Sequence, residues 1–333
     1  MDRTTAEKEW LRRISGGRPE APQGKPTSDP TSDQASSKPT PKPQPTAKKH
    51  GNGFGDIAGM EDLKQRVKEG FINVLQHRDL ADAYGIRPPS MLFYGPAGCG
   101  KTFFAEKMAE EVGIHFIKVV PDDLASTMVH GTQEKIGEVF KNAERHAPAL
   151  LFFDEFDAMV PRRTGNEYNQ HYDSEVNEFL CMLNHASDKG VYVLAATNHP
   201  ERIDKAVLRT GRIDELVYVD MPDHEARKSL FALELAKLPK DEGIDMDRLA
   251  RMTQGFNCSD INYIVKSAAR KKFNEAIGCG EHTLQNITQK QLEEIISGRS
   301  PSVSSRDLRE YQRVHSEFSP KDKGGQPASI GFR

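Results

Sequence analysis

Five short apolar runs punctuate the first two-thirds of the chain: Ser90 to Gly95, Phe116 to Val120, Leu150 to Phe153, Val191 to Ala196 and Leu216 to Val219. Each is nearly continuous rather than alternating, the pattern of a strand covered on both faces. Segments of helical spacing separate them. The pattern therefore predicts an α/β fold with a parallel five-stranded sheet and helices on both faces. After Pro222 the strand-like runs stop. Residues 223–236, 245–253, 260–277 and 288–298 place apolar positions at helical spacing, which predicts a small all-helical unit. Residues 304–318 read as one more helix and the residues after it as loose chain. No internal repeat is visible.

The pattern is missing before residue 51. That segment holds 8 of the 20 prolines, with ten Lys/Arg against six Asp/Glu, a net charge of +4. From Gly16 to Gly51 there is almost nothing to bury, so the sequence predicts a disordered, partly extended tail. One island interrupts it. Residues 5–14 are good helix formers and put Trp10, Leu11 and Ile14 on one helical face. They read either as a short helix that docks in a partner's groove or as a frayed helix that binds nothing. The expected organisation is a tail over 1–50, a large α/β unit over 51–222, a helical unit over 223–299, and a C-terminal helix with a loose end over 300–333.

Composition narrows the function classes. The whole chain carries −3, so the part after the tail carries −7, which argues against a protein acting on nucleic acid. No apolar run approaches the ~20 residues that a membrane span needs. The four cysteines, Cys99, Cys181, Cys258 and Cys279, lie far apart with no CxxC pair, and read as reduced thiols of a cytoplasmic protein. His224-Glu225-Ala-Arg-Lys228 is not the zinc-protease pattern, and there is no G-x-S-x-G.

The strongest chemical signal is Gly95-Pro96-Ala97-Gly98-Cys99-Gly100-Lys101-Thr102, which follows a strand and opens a helix. This is the phosphate-binding P-loop. Its glycines let backbone N–H groups curl round phosphates, and the helix N-terminus adds its dipole. Lys101 is placed to reach the β- and γ-phosphates of ATP, and Thr102 to ligate Mg²⁺. Phe103, in the first turn of the helix, joins the loop residues as a nucleotide contact. Cys99 reads as a small filler inside the loop. A second signal comes about 50 residues on, where an apolar strand ends in Asp154 and Glu155. Carboxylates at the carboxyl end of a parallel strand lie where ligands gather. Asp154 is then a second Mg²⁺ ligand, and Glu155 the group that polarises the attacking water.

With these motifs the sequence resembles the AAA ATPases of the AAA+ group, from about Phe54 to Ile277. Phe54-Gly-Asp56-Ile57-Ala-Gly-Met60 resembles the family's segment against the adenine. Tyr84-Gly-Ile-Arg-Pro-Pro89 resembles the stretch leading into the first strand. Asn198, in Ala195-Ala-Thr-Asn-His-Pro200, resembles sensor 1, which orients the water. Arg209 and Arg212, in Leu208-Arg-Thr-Gly-Arg-Ile-Asp214, resemble the arginines that reach a neighbouring subunit's γ-phosphate. Gly255-Phe-Asn-Cys-Ser-Asp-Ile261 resembles the lid motif G-x-S-G-A-D-I, with Asn257-Cys258-Ser259 replacing S-G-A. The resemblance implies an ATP- and Mg²⁺-dependent ring, most often a hexamer, with sites shared between subunits.

Such rings grip polypeptide through an aromatic-apolar-Gly loop. Here the region reads Met128-Val129-His130-Gly131, with a methionine in the aromatic's place and one extra residue before the glycine. A second loop carries Tyr168 and Tyr172 with two arginines, a set that suits an extended polypeptide or a single nucleic-acid strand. The leading expectation is an oligomeric ATPase that remodels, unfolds or disassembles a protein partner, contacted in part through Trp10 and the tail. The alternatives are an ATP-gated switch or scaffold that threads nothing, favoured by Met128, and a nucleic-acid loader ATPase, disfavoured by charge.

Overall fold

A computed structural model of the chain describes residues 51–124, 131–162, 179–209, 211–278 and 284–318. The expectations for Trp10, Met128, Val129, His130, Tyr168 and Tyr172 fall outside these residues.

The five apolar runs form one sheet: β1 (Met91–Tyr94), β2 (His115–Val119), β3 (Ala149–Phe153), β4 (Val191–Thr197) and β5 (Glu215–Tyr218). The order is β2-β3-β4-β1-β5, and every pair is parallel. Strands β1, β3 and β4 are buried along their whole length, while edge strand β2 is partly exposed. Successive residues feed opposite faces. Leu92, Leu151, Val193 and Ala195 enter one apolar cluster, and Met91, Phe93, Phe152 and Leu194 enter another. Burial on both sides is why the runs lack alternation. The observed limits of β2 and β5 lie one residue before the expected ones.

Helices α1 (Glu61–Val67) and α2 (Arg78–Ala83) precede the sheet, α3 (Lys101–Val112) follows β1, and α4 (Gly131–Arg145) precedes β3. After β5 come α5 (His224–Ala236), α6 (Met246–Met252), α7 (Cys258–Gly278) and α8 (Gln289–Ser297). Three of these begin with a side-chain cap: Asp223 accepts from Ala226 N, Asp245 from Arg248 N and Thr288 from Gln291 N. The four helices share their own apolar cluster, which includes Phe231, Leu249, Ile264 and Leu292. The last described helix, α9 (Ser305–Phe318), returns to the sheet. Among the described residues no helix is long and apolar enough to cross a membrane.

Candidate nucleotide site

Loop 95–100 leaves the carboxyl end of central strand β1 and runs into α3. Gly95 has φ +143° and Gly98 φ +75°. A Cβ at Gly95 would collide with the carbonyl of Val219, and one at Gly98 with the side chain of Asn257. Both positions therefore need glycine for conformation and for space.

The carbonyls of this loop all point at donors. Lys101 is 7 % exposed. Its Nζ donates to the carbonyls of Gly95 and Pro96 at 2.9 and 2.8 Å. The Asn257 amide donates to Ala97 O at 3.0 Å. Ser259 N donates to Gly98 O at 3.1 Å, and the Cys258 thiol lies 3.7 Å from Cys99 O. Five consecutive carbonyls are thus drawn away from the bend of the loop, three of them by the first turn of α7 and the residue before it. Burial lowers Lys101 to about 8, because the charged ammonium has lost water.

Thr102 Oγ1 donates to Asp154 Oδ2 at 3.1 Å, and Lys118 Nζ on β2 pairs with the same oxygen at 2.8 Å. Glu155 is exposed and holds a left-handed backbone, φ +51°. One strand over, Thr197 donates to Asp157 and accepts from His199 N, so residue 198 is bracketed by a fixed turn. Asn198 is half-buried beside it.

Beside the loop lies a cavity of about 390 Å³. Ile57, Phe103, Phe104, Leu230 and Leu233 give it apolar walls, and Asp56, Ser259, Asn262 and Lys266 supply polar edges. The segment carrying Asp56 and Ile57 is tied to α3. Phe54 N donates to Glu111, and Asp56 pairs with Lys107 at 3.0 Å. Hydrogen bonds from Asn52 and Lys107 hold the Asp56 carboxyl below its ordinary value. Phe103 is 45 % exposed, an apolar ring left at the cavity wall.

The lid motif is locked from behind. Asp260, 1 % exposed, accepts from Arg299 at 2.8 Å and from Ser302 N and Oγ at 3.1 and 2.9 Å. Ser302 Oγ also accepts from Asn257 Nδ2 at 3.0 Å. Burial pushes the Asp260 carboxyl up, but these hydrogen bonds outweigh it and the net direction is down. Helix α9 reaches the other end of the loop. His315 Nδ1 is 2.8 Å from Tyr94 Oη, and its ring stacks on Tyr218 at 4.2 Å.

Residues 91–221 match the model of the ATPase family associated with various cellular activities (AAA). The chain belongs to the AAA ATPase family. It is similar to the Cell division cycle protein 48 homolog of Archaeoglobus fulgidus, 33 % identical over 273 residues, which cover 79 % of this chain and 37 % of that protein. It is also similar to the Putative cell division cycle ATPase of Plasmodium falciparum, 33 % identical over 261 residues, covering 78 % of this chain and 21 % of that protein. The chain thus spans well under half the length of either relative.

The structure brings Asp56, Ile57, Gly98, Cys99, Gly100 and Phe103 to the wall of one cavity, and joins Thr102 at the end of the same loop to Asp154. Cys99 is fully buried, with Sγ 3.6 Å from Met221 Sδ, and burial pushes its thiol up to about 12. That is the environment of a filler residue, not of a reactive thiolate. Arg209 and Arg212 lie in the turn before β5. Arg209 is exposed, and Arg212 donates to Ala206 O at 2.7 Å. Asp214 fixes that turn by accepting from Gly211 N and Ser90 N. The sequence reading missed Lys118, Leu230, Leu233, Glu234, Asn262, Ser302 and His315. Only the three substituted lid residues 257–259 carried a signal, as a departure from the family pattern.

Proposed function

We propose that this chain hydrolyses ATP with Mg²⁺ as a subunit of a ring, most often a hexamer, and uses the cycle to remodel a protein partner. The observation that carries the reading is the contact of Thr102 with Asp154 beside the P-loop. It places a hydroxyl and a carboxylate, both hard oxygen donors, 3.1 Å apart at the mouth of an anion-binding bend. These two residues fit Mg²⁺, which when bound offsets charge on the phosphate oxygens.

Lys101 leaves the carbonyls of Gly95 and Pro96 for the β- and γ-phosphates, and regains full charge there. Backbone N–H groups of residues 98–102 hold the phosphates, aided by the N-terminus of α3. Glu155 polarises a water aimed at the γ-phosphate, and Asn198 orients it. Arg209 and Arg212 reach the γ-phosphate of the adjoining subunit, where a guanidinium is worth roughly 10³ to 10⁵ in rate. An isolated monomer is then nearly inactive. Of the two relatives, the one named Putative cell division cycle ATPase agrees with an ATPase, and neither name gives a partner for this chain.

The test is a substrate trap. Glu155→Gln keeps ATP and stalls hydrolysis, so a client stays bound. The control adds Lys101→Ala, which cannot hold nucleotide. A protein enriched only in the trap supports remodelling and names the client. Equal recovery from both would point to a nucleotide-independent contact through the tail, and no client, with a ring that still assembles on ATP, would replace remodelling by a switch or scaffold. Mixing Lys101→Ala with Arg212→Ala subunits tests the shared site, since activity must partly return at intermediate ratios.

A further inference from the structure

The cleft has a polar pair on its lid side that the ATPase reading does not use. Glu234 on α5 and Asn262 on α7 both line the cavity, and Asn262 Nδ2 donates to Glu234 Oε1 at 3.0 Å. The pair bridges the two lid helices that form this wall. Their neighbours on the wall, Leu230 and Leu233, are apolar, so an acidic group among them calls for a ligand-side reason.

Helix α7 runs along the cavity and serves as a ruler. Ser259 lies against the loop, with its N–H on Gly98 O. Asn262 follows three residues later and Lys266 seven, or about 4.5 and 10.5 Å along the axis. All three line the cavity. A nucleotide whose phosphates sit at loop 95–100 and whose base lies among Ile57, Leu230 and Leu233 has its sugar between the two. The Glu234–Asn262 pair stands at that middle level, one turn beyond Ser259.

Chemistry narrows what a carboxylate does there. It repels phosphate oxygens, so it does not serve the phosphate end. It accepts hydrogen bonds, and at the middle level the donors a nucleotide offers are the ribose hydroxyls. Asn262 occupies one carboxylate oxygen and fixes the plane of the group, which aims the second oxygen. An acidic side chain on a ribose hydroxyl is the arrangement dinucleotide-binding folds use for the same purpose.

We propose that Glu234, held by Asn262, reads the ribose hydroxyls, so that the site selects ribonucleoside triphosphates over deoxyribonucleoside triphosphates. The proposal rests on nucleotide binding in this cleft. Glu234 is half-exposed and sits on a capped helix, so its substitution leaves the lid core in place.

The test titrates ATP, 2′-deoxy-ATP and 3′-deoxy-ATP into the full chain with Mg²⁺ by calorimetry. The wild type is expected to bind ATP about tenfold or more tightly than at least one deoxy analogue, the worth of a hydrogen bond to a charged group. In Glu234→Ala that gap closes, because ATP weakens to the level of the analogue. Glu234→Gln keeps part of it, since the amide oxygen still accepts. Equal wild-type affinities for all three nucleotides would overturn the proposal. So would a gap that survives in Glu234→Ala, or a Glu234→Ala protein that binds none of the three. A wild type that binds none of them, like Lys101→Ala, would instead remove the nucleotide reading on which the proposal stands.

Discussion

On the sheet side of the cleft, the backbone amides and the lysine proposed to meet the phosphates come from a single eight-residue stretch, 95–102. On the lid side, the same loop is held by Asn257, Cys258 and Ser259, which are in turn held by Asp260, Arg299 and Ser302, with His315 beyond. The first wall is a local motif. The second is a relay of side chains that reaches the loop from 159 or more residues away. The difference separates two jobs. On the proposed function, the sheet side supplies the phosphate grip, and residues 257–302 set how firmly the loop keeps its shape.

If that division holds, sheet-side changes should remove chemistry and lid-side changes should loosen it. Lys101→Ala should have the largest effect, lowering ATP turnover by roughly 10³-fold or more in a steady-state assay while the fold survives. Asp260→Asn comes next, at about 3 kcal/mol of stability, because it leaves Arg299 without its buried partner. A urea midpoint reads it. The sign with pH follows from the lowered carboxyl. Its contribution is complete above about pH 4 and is lost as pH falls through the folded value, so acid should narrow the gap between wild type and Asp260→Asn.

Lys101 gives an effect of about 2 kcal/mol in affinity. Its free-state value near 8 means it is charged below that pH. ATP affinity should therefore be flat from pH 6 to 7.5 and weaken up to about tenfold per unit above 8. Titration at pH 7 and 9.5 reads it, and Lys101→Arg, which stays charged, should show no such slope. Asn257→Ala should cost about 1 to 2 kcal/mol, because Ala97 O loses its donor, and should raise the Kd for ATP several-fold. His315→Phe keeps the stacking and removes one hydrogen bond. It should cost about 1 kcal/mol and leave turnover within about twofold of wild type. A lid variant that matched the turnover loss of Lys101→Ala would break the division between the walls.

The same division decides what was legible in the sequence. The five strands were found to within a residue, because burial on both faces gives each an uninterrupted apolar run. The P-loop and Asp154-Glu155 were legible because their chemistry needs fixed residues at fixed spacing. Helix α7 was expected from 260 and begins at Cys258. The reason is the reciprocal pair in which Asp260 N donates to Asn257 Oδ1 and Asn257 N donates to Asp260 Oδ2, a cap read only once both partners are seen together. Leu230, Glu234 and Asn262 are ordinary helix-face residues, and nothing local marks them as cavity wall. Lys118 is a lysine on an edge strand until β3 brings Asp154 beside it. Ser302 and His315 act on partners far away in the chain, where no periodicity reaches.

The distance between the loop and its supports also bears on how the protein is made. Asn257 lies 160 residues after Ala97, and His315 lies 221 residues after Tyr94. During synthesis from the N-terminus, the phosphate loop emerges long before the groups that hold its carbonyls. A nascent chain that ends between residues 103 and 256 carries the complete motif but none of the lid groups that hold the carbonyls of residues 97–99. The loop thus reaches its observed set of contacts only once residues 257–302 have been made, so the order of synthesis separates the appearance of the motif from the appearance of its supports.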